Sequence, residues 1–337
     1  MQFHELTKRQ ATRVVDGVSF PIFIDNGGFY LTNLMVFEDG LVDCWETLDF
    51  DLFEEKVRSG GVRAGIPDGQ CFRVHPFGEL EVSSSDWRMS GDDLLQYVQD
   101  VIAQLNPKKQ NLYDMHGSAT EVINGLSYFK QNRSRSASWR PKEDDVFDER
   151  FRGETIWAYE RVADGVDLAE VTIFENEIVS VLASTSQREL TFAEFKSEAA
   201  GGCFDFPETG DKISISGLGS FKCADAMTRG YTPERVIEKL DDLLRTLSGV
   251  PTTVDLCREA FLVYSDAPNS ENLENLRHAY EAVPDHLRMY CGDMDSKDIP
   301  IRIVLYGDKE IENWSHWQAS KMKGLPLPTL SVPRPTD

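Results

Sequence analysis

The chain has 337 residues, about two domains' worth at roughly 150 residues each. Apolar residues make up 41% and charged residues 27%, enough to build hydrophobic cores, so a wholly disordered chain is excluded. The 57 acidic against 35 basic residues leave a net charge of −22, which excludes broad nucleic-acid binding through phosphate contacts and favours a basic partner.

Residues 1–16 mix Lys8, Arg9 and Arg13 with polar side chains and lack the apolar run of a signal peptide. No stretch approaches the about 20 apolar residues that span a bilayer. The expectation is a cytoplasmic protein without a membrane partner. Segments 20–24, 29–37 and 41–46 are rich in aromatic and branched residues, with Asn26-Gly27-Gly28 and Asp39-Gly40 as turns between them, which predicts a three-stranded meander. A short helix over 49–58 closes at Gly60, strands follow at 70–74 and 79–83, and a helix capped by Ser90 runs to Asn106-Pro107.

The same order then recurs. Val36-Phe37-Glu38-Asp39-Gly40-Leu41-Val42 reappears 137 positions on as Ile173-Phe174-Glu175-Asn176-Glu177-Ile178-Val179. Leu48, Phe50 and Phe53 match Leu190, Phe192 and Phe195, and the pair Gly60-Gly61 matches Gly201-Gly202. The closing stripe of Leu94, Leu95, Val98, Val101, Ile102 and Leu105 aligns at a constant 142 with Val236, Ile237, Leu240, Leu243, Leu244 and Leu247. Any two amphipathic helices can match this well; the shared order of hairpin, Phe pair, Gly-Gly and helix is what indicates duplication. The predicted fold class is α+β: two duplicated units, each a mostly antiparallel sheet with helices on one face, plus a C-terminal helical module. The expected boundaries are 1–107 and 151–251 for the two units, 108–150 for a charged linker and 252–337 for the module with a Pro-rich tail.

In the linker, Lys130, Arg133, Arg135, Arg140 and Lys142 form the densest basic run, interspersed with serines and followed by Glu143, Asp144, Asp145, Asp148 and Glu149. A mixed charge block of this kind is expected to be a solvated connection, with an anion-binding loop as the competing reading. Beyond Pro251, residues 254–264 and 270–283 carry apolar residues at helical spacing and predict a helix pair, and Pro284 is expected to start another helical turn. Asp293, Asp295 and Asp298 suggest a calcium loop, but an EF-hand needs a glycine where Asp298 stands, so the expectation is helix capping and no metal. Trp314, His316 and Trp317 are candidate anchors for a partner.

The run from Arg288 through Cys291-Gly292-Asp293-Met294-Asp295-Ser296-Lys297-Asp298 to Tyr306-Gly307 resembles a segment of uncharacterised bacterial proteins of the toxin-immunity type. Some similar two-unit acidic cytosolic proteins act as immunity partners of polymorphic or secreted toxins. The resemblance implies a bacterial interaction protein and transfers no site.

The six cysteines lie far apart without a C-x-x-C pair and are expected to be reduced thiols. Phosphate-loop, nucleophile-elbow, zincin and dinucleotide signatures are all missing, and no cofactor is expected. The leading functional expectation is therefore an acidic binding protein that neutralises a basic partner, such as a toxin domain, through Asp293, Asp295, Asp298, Trp314, His316 and Trp317. The competing classes are an enzyme centred on residues 293–317 and a scaffold that oligomerises through the C-terminal helices.

Overall fold

The structure is a computed structural model that describes residues 15–110, 112–113, 120–123, 125–129, 135–141 and 150–334. Lys130, Arg133, Lys142 and the acidic block 143–149 lie outside the described residues. The fold is α+β, in two compact units, Met1–Ile237 and Glu238–Asp337.

The first copy of the repeat contains β1 (Val15–Asp25), β2 (Phe29–Phe37), β3 (Val42–Asp43), β4 (Thr47–Leu48), α1 (Phe50–Ser59), β5 (Val62–Arg63), β6 (Cys71–Val74), β7 (Gly78–Trp87) and α2 (Gly91–Leu105). Four short strands follow: β8 (Thr120–Ile123) and β9 (Leu126–Phe129), which pair with each other, then β10 (Arg135–Ser136) and β11 (Trp139–Pro141). The second copy runs β12 (Arg150–Val162), β13 (Gly165–Phe174), β14 (Ile178–Leu182), β15 (Gln187–Thr191), α3 (Phe192–Ala200), β16 (Lys212–Ile215), β17 (Gly219–Thr228) and α4 (Pro233–Leu247). Elements therefore recur in the same order, and so does their pairing. In both copies the long hairpin is antiparallel, β1 with β2 and β12 with β13. Its second strand then takes a parallel neighbour, β6 on β2 and β16 on β13.

The caps agree with the sequence. Asp49 accepts the Leu52 N–H at the start of α1 (2.9 Å), and Gly60 closes that helix at φ 82°. Ser90 with Asp93, and Thr191 with Glu194, form reciprocal capping boxes on α2 and α3. Beyond the Gly201-Gly202 pair the second copy has one bridge, Phe204 to Glu160, the counterpart of the pairing of β5 with β1.

The two copies join into one sheet, β10-β1-β2-β6-β7-β17-β16-β13-β12-β11 along its main path. The junction is β7 against β17, antiparallel, with Val82 opposite Cys223. Those two residues occupy equivalent places in the repeat, so an approximate two-fold axis passes between them. Arg88 N–H donates to Leu218 O (2.8 Å) and its counterpart Arg229 N–H to Phe77 O (3.1 Å), which ties each hairpin tip to the other copy. Phe72 of the first copy meets Phe221 of the second with ring centres 5.5 Å apart, and Phe77 meets Tyr231 at 5.0 Å.

Two glycines show how closely the copies match. A Cβ on Gly17 would lie 2.6 Å from the Phe37 ring, and one on Gly153 2.7 Å from the Phe174 ring. In each copy an aromatic ring lies across the paired strand where only glycine leaves room. Leu94, Val98, Val236 and Leu240 are buried, as the stripe predicts. Ile102 and Leu244, expected in the core with them, are only half-buried. Ile102 sits at the flank of its helix, where the surface opens into a groove.

In the second unit, α5 (Thr253–Asp266) and α6 (Ser270–Ala282) form a helical hairpin, followed by α7 (Ile299–Tyr306) and α8 (Ser315–Met322). Cys257, Tyr264, Leu276, Tyr280, Cys291 and Ile301 build its core. Pro284 opens a turn closed by Leu287 N–H to Pro284 O (2.8 Å), which leads into a 3-10 turn at Arg288–Tyr290. No helix among the described residues is long and apolar enough to cross a membrane.

Candidate functional site

The six residues singled out in the C-terminal unit fall into two groups. Asp293 Oδ1 accepts the N–H groups of Asp295 (2.9 Å) and Ser296 (2.6 Å) and the Ser296 hydroxyl (2.8 Å). Those hydrogen bonds, the Ser296 N–H foremost, hold its carboxyl below the usual range. The loop is tight enough that a Cβ on Gly292 would collide with the carbonyl of Lys297, which itself stands at φ 53°. The Trp314 indole N–H donates to Asp295 O (2.8 Å), and the His316 ring lies beside Trp314 at 5.2 Å between centres. The structure thus brings together Asp293, Asp295, Trp314 and His316.

Asp298 and Trp317 belong elsewhere. Asp298 is buried and its Oδ2 accepts the Tyr280 hydroxyl (2.6 Å); burial first, and then this hydrogen bond, push the Tyr280 phenol well above its ordinary range. Trp317 carries Lys321 Nζ over its ring at 4.7 Å. Beside Asp298 lies a cavity of about 500 Å³ whose two arginines are already paired: Arg288 with Asp285 (2.7 Å) on the cavity wall and Arg302 with Glu310 outside it. Asp293 and Asp298 therefore shape a turn and a core contact, and half-buried Trp314 and Trp317 present partial ring faces.

A larger concavity, about 740 Å³, lies in the first unit beside α2. Its acidic lining comes from three places: Asp39 at the tip after β2, Asp49 and Asp51 at the start of α1, and Asp100 on α2, with Lys109 as a basic neighbour. Leu41, Ile102, Leu112 and Tyr113 supply apolar surface, and Leu112 and Tyr113 are exposed. Tyr113 N–H donates to Asp39 O (2.7 Å), which fixes the chain after α2 against the hairpin tip. Asp39 is bound to Arg135 (2.8 Å) and Asp100 accepts the Gln96 amide (2.9 Å), whereas Asp51 is exposed to solvent. Sequence reasoning assigned Asp39 to a turn and Asp49 to a helix start and singled out no role for Asp100. Both assignments stand, and neither locates the groove, because the three segments converge only in the fold.

The described part of the basic run is engaged internally. Besides Arg135 with Asp39, Arg140 pairs with Glu189 (3.0 Å) and lies over the Phe174 ring at 5.6 Å. Three acids among the described residues are buried in the sheet: Glu160 on β12, paired with Arg188 (2.8 Å), Asp167 on β13, which accepts from Ser184, and Glu170 on β13, whose carboxyl burial pushes up to about 7, with the Tyr97 hydroxyl in its electrostatic neighbourhood. Among the described residues no group of three His, Cys, Asp or Glu side chains is arranged to hold a metal ion.

Residues 5–109, which include the first copy, match a family described as Domain of unknown function (DUF7638), and residues 252–323 match a second, Domain of unknown function (DUF7639). No curated protein and no solved structure matches the chain.

Proposed function

We propose that this chain is a protein-binding module for a basic partner, a toxin domain being the concrete bacterial case, and that the partner docks in the groove beside α2. One observation carries the reading: the groove unites Asp39, Asp49, Asp51 and Asp100 with exposed Leu112 and Tyr113. A chain of net charge −22 attracts a cationic protein at long range, while an aromatic and an aliphatic anchor inside an acidic rim supply the short-range specificity that charge lacks. The cytoplasm is the compartment that suits it, since all six cysteines are free thiols. Trp314 and Trp317, the anchors suggested by sequence, are the second surface to test.

The experiment combines charge reversal with kinetics. A partner recovered from cells on the full chain is expected to be basic, and its on-rate to fall as salt shortens the Debye length below about 8 Å. Asp51→Lys with Asp100→Lys, both at exposed positions, should slow association about tenfold or more while the chain stays folded, the loss of the first-turn acid on α1 costing only about 1 kcal/mol. Trp314→Ala should leave association unchanged. An acidic partner, or binding indifferent to the double reversal, overturns the proposal; loss on Trp314→Ala alone moves the docking site to the C-terminal unit.

A further inference from the structure

We propose that Cys257 and Cys291 are a reactive thiol pair that a hydroperoxide converts into an intramolecular disulfide, clamping α5 to the turn that carries Asp293. Cys257 lies on the inner face of α5 and Cys291 directly follows the 3-10 turn Arg288–Tyr290; the residues are 34 positions apart in sequence. Both are buried in one core cluster, and each thiol is the leading electrostatic partner of the other. A second tie holds the same two segments together, because Arg258 Nη2–H donates to Tyr290 O (2.6 Å), one residue along from each cysteine.

The surroundings make the two sulfurs unequal. The neighbouring Cys291 side chain, with the positive charges of Arg288 and Arg258, outweighs burial and the charge of Asp298, so the Cys257 thiol is shifted below an ordinary cysteine. Cys291, beside that sulfur and itself buried, is pushed the other way. No other cysteine has this setting. Cys44 and Cys223 are buried without a thiol neighbour and burial pushes both up to about 11, while Cys71 and Cys203 are exposed. Cys257 is therefore the attacking sulfur and Cys291 the resolving one.

The chemistry balances in two steps. The Cys257 thiolate attacks the terminal oxygen of the hydroperoxide; the O–O bond breaks, an S–O bond forms, and the departing alkoxide or hydroxide takes up a proton, leaving Cys257 as a sulfenic acid. The Cys291 sulfur then attacks the Cys257 sulfur, forming the S–S bond and expelling the oxygen as water with the Cys291 proton. Two thiols are oxidised and one peroxide is reduced. Access comes from the turn side: Met289 and Tyr290 are exposed and Met294 is 94% exposed, so opening this surface turn uncovers Cys291 and the sulfur beneath it.

The test uses the folded full chain and hydrogen peroxide, with peptide mapping by mass spectrometry. The expected product is a peptide pair joined through Cys257 and Cys291, lighter by two hydrogen atoms and restored by dithiothreitol. In Cys291→Ser a dimedone-reactive sulfenic acid should accumulate on Cys257; in Cys257→Ser, Cys291 should stay a thiol. Exposed Cys71 and Cys203 serve as internal controls for the oxidant. Oxidation of those two while Cys257 and Cys291 remain thiols in the unmodified chain overturns the proposal, a result that needs no variant to fold.

Discussion

The two copies of the repeat share a ladder plan down to single residues, yet they differ where one position would most disturb the other. Gly17 and Gly153 both lie under a phenylalanine ring, and Phe53 and Phe195 are both fully buried on their short helices. Asn33 on β2 pairs with Pro21, and at the corresponding place on β13 Glu170 pairs with Trp157. At the hairpin tip Gly40 has φ 84° and its counterpart Glu177 has φ 62°. Backbone geometry has been kept across the duplication, whereas side-chain chemistry has diverged. Positions that fix packing are held by shape, and positions that only tolerate a conformation can drift at a cost.

The largest effect should come where the copies are most alike. Phe53→Ala and Phe195→Ala each remove a ring with no solvent exposure, so each should cost about 4 kcal/mol. Measured by denaturant midpoints at constant slope, the two losses should agree within the scatter of such substitutions. A loss at one position and none at the other would break the equivalence of the helices.

How much of this plan is legible in the sequence depends on range. The hairpins, the Gly-Gly pairs and the capping serine and threonine are local signals, carried by alternation and turn chemistry within ten residues, and the structure has those elements. The junction of β7 with β17 has no such signal, because Val82 and Cys223 meet across 141 positions and either strand could have remained an edge. Asp293 and Asp298 carry the same charge five positions apart, yet one caps an exposed turn and the other is buried on Tyr280; only the packing of α6 against that segment separates them. The groove beside α2 and the Cys257–Cys291 pair escape for the same reason, since each is assembled from segments distant in sequence.

Glu170 sharpens the comparison through pH. Its carboxyl is pushed up to about 7 by burial, against 4.5 for the same group in solvent, so the folded chain holds that proton more tightly than the unfolded chain. Between those two values the native state carries more protons, and stability falls as pH rises. The contribution is in full below about 4.5 and is lost through about 7, and it amounts to about 3 kcal/mol. Glu170→Gln should therefore flatten this part of the pH profile and leave the variant more stable than the parent above pH 7. Asn33, its counterpart, has no proton to lose, so Asn33→Asp should introduce a pH dependence in the first copy. Identical pH slopes for the parent and Glu170→Gln would show that the Glu170 carboxyl is solvated in the folded chain.

The smallest effect is expected at the hairpin tip, where the backbone is the same and only the residue differs. Gly40 N–H donates to Phe37 O (3.0 Å) and Glu177 N–H to Phe174 O (2.9 Å), so both turns need a left-handed residue at one place. Glycine adopts it freely, whereas a residue with a Cβ is strained there by about 1–2 kcal/mol. The Glu177 side chain is exposed and enters no ion pair among the described residues that would offset the strain. Glycine in its place would also give up more freedom on folding, by about 0.5–1 kcal/mol, so the net gain from Glu177→Gly should be only about 0.5 kcal/mol. Gly40→Ala should lose about 1 kcal/mol, because space is available, with Leu112 at 3.5 Å from the added carbon, and the conformation alone resists it. Opposite signs at two equivalent positions, read as shifts in urea midpoint, would establish that the duplication preserved the turn and not its best residue; a loss at both would mean that the Glu177 side chain holds its turn by an interaction that Gly40 never needed.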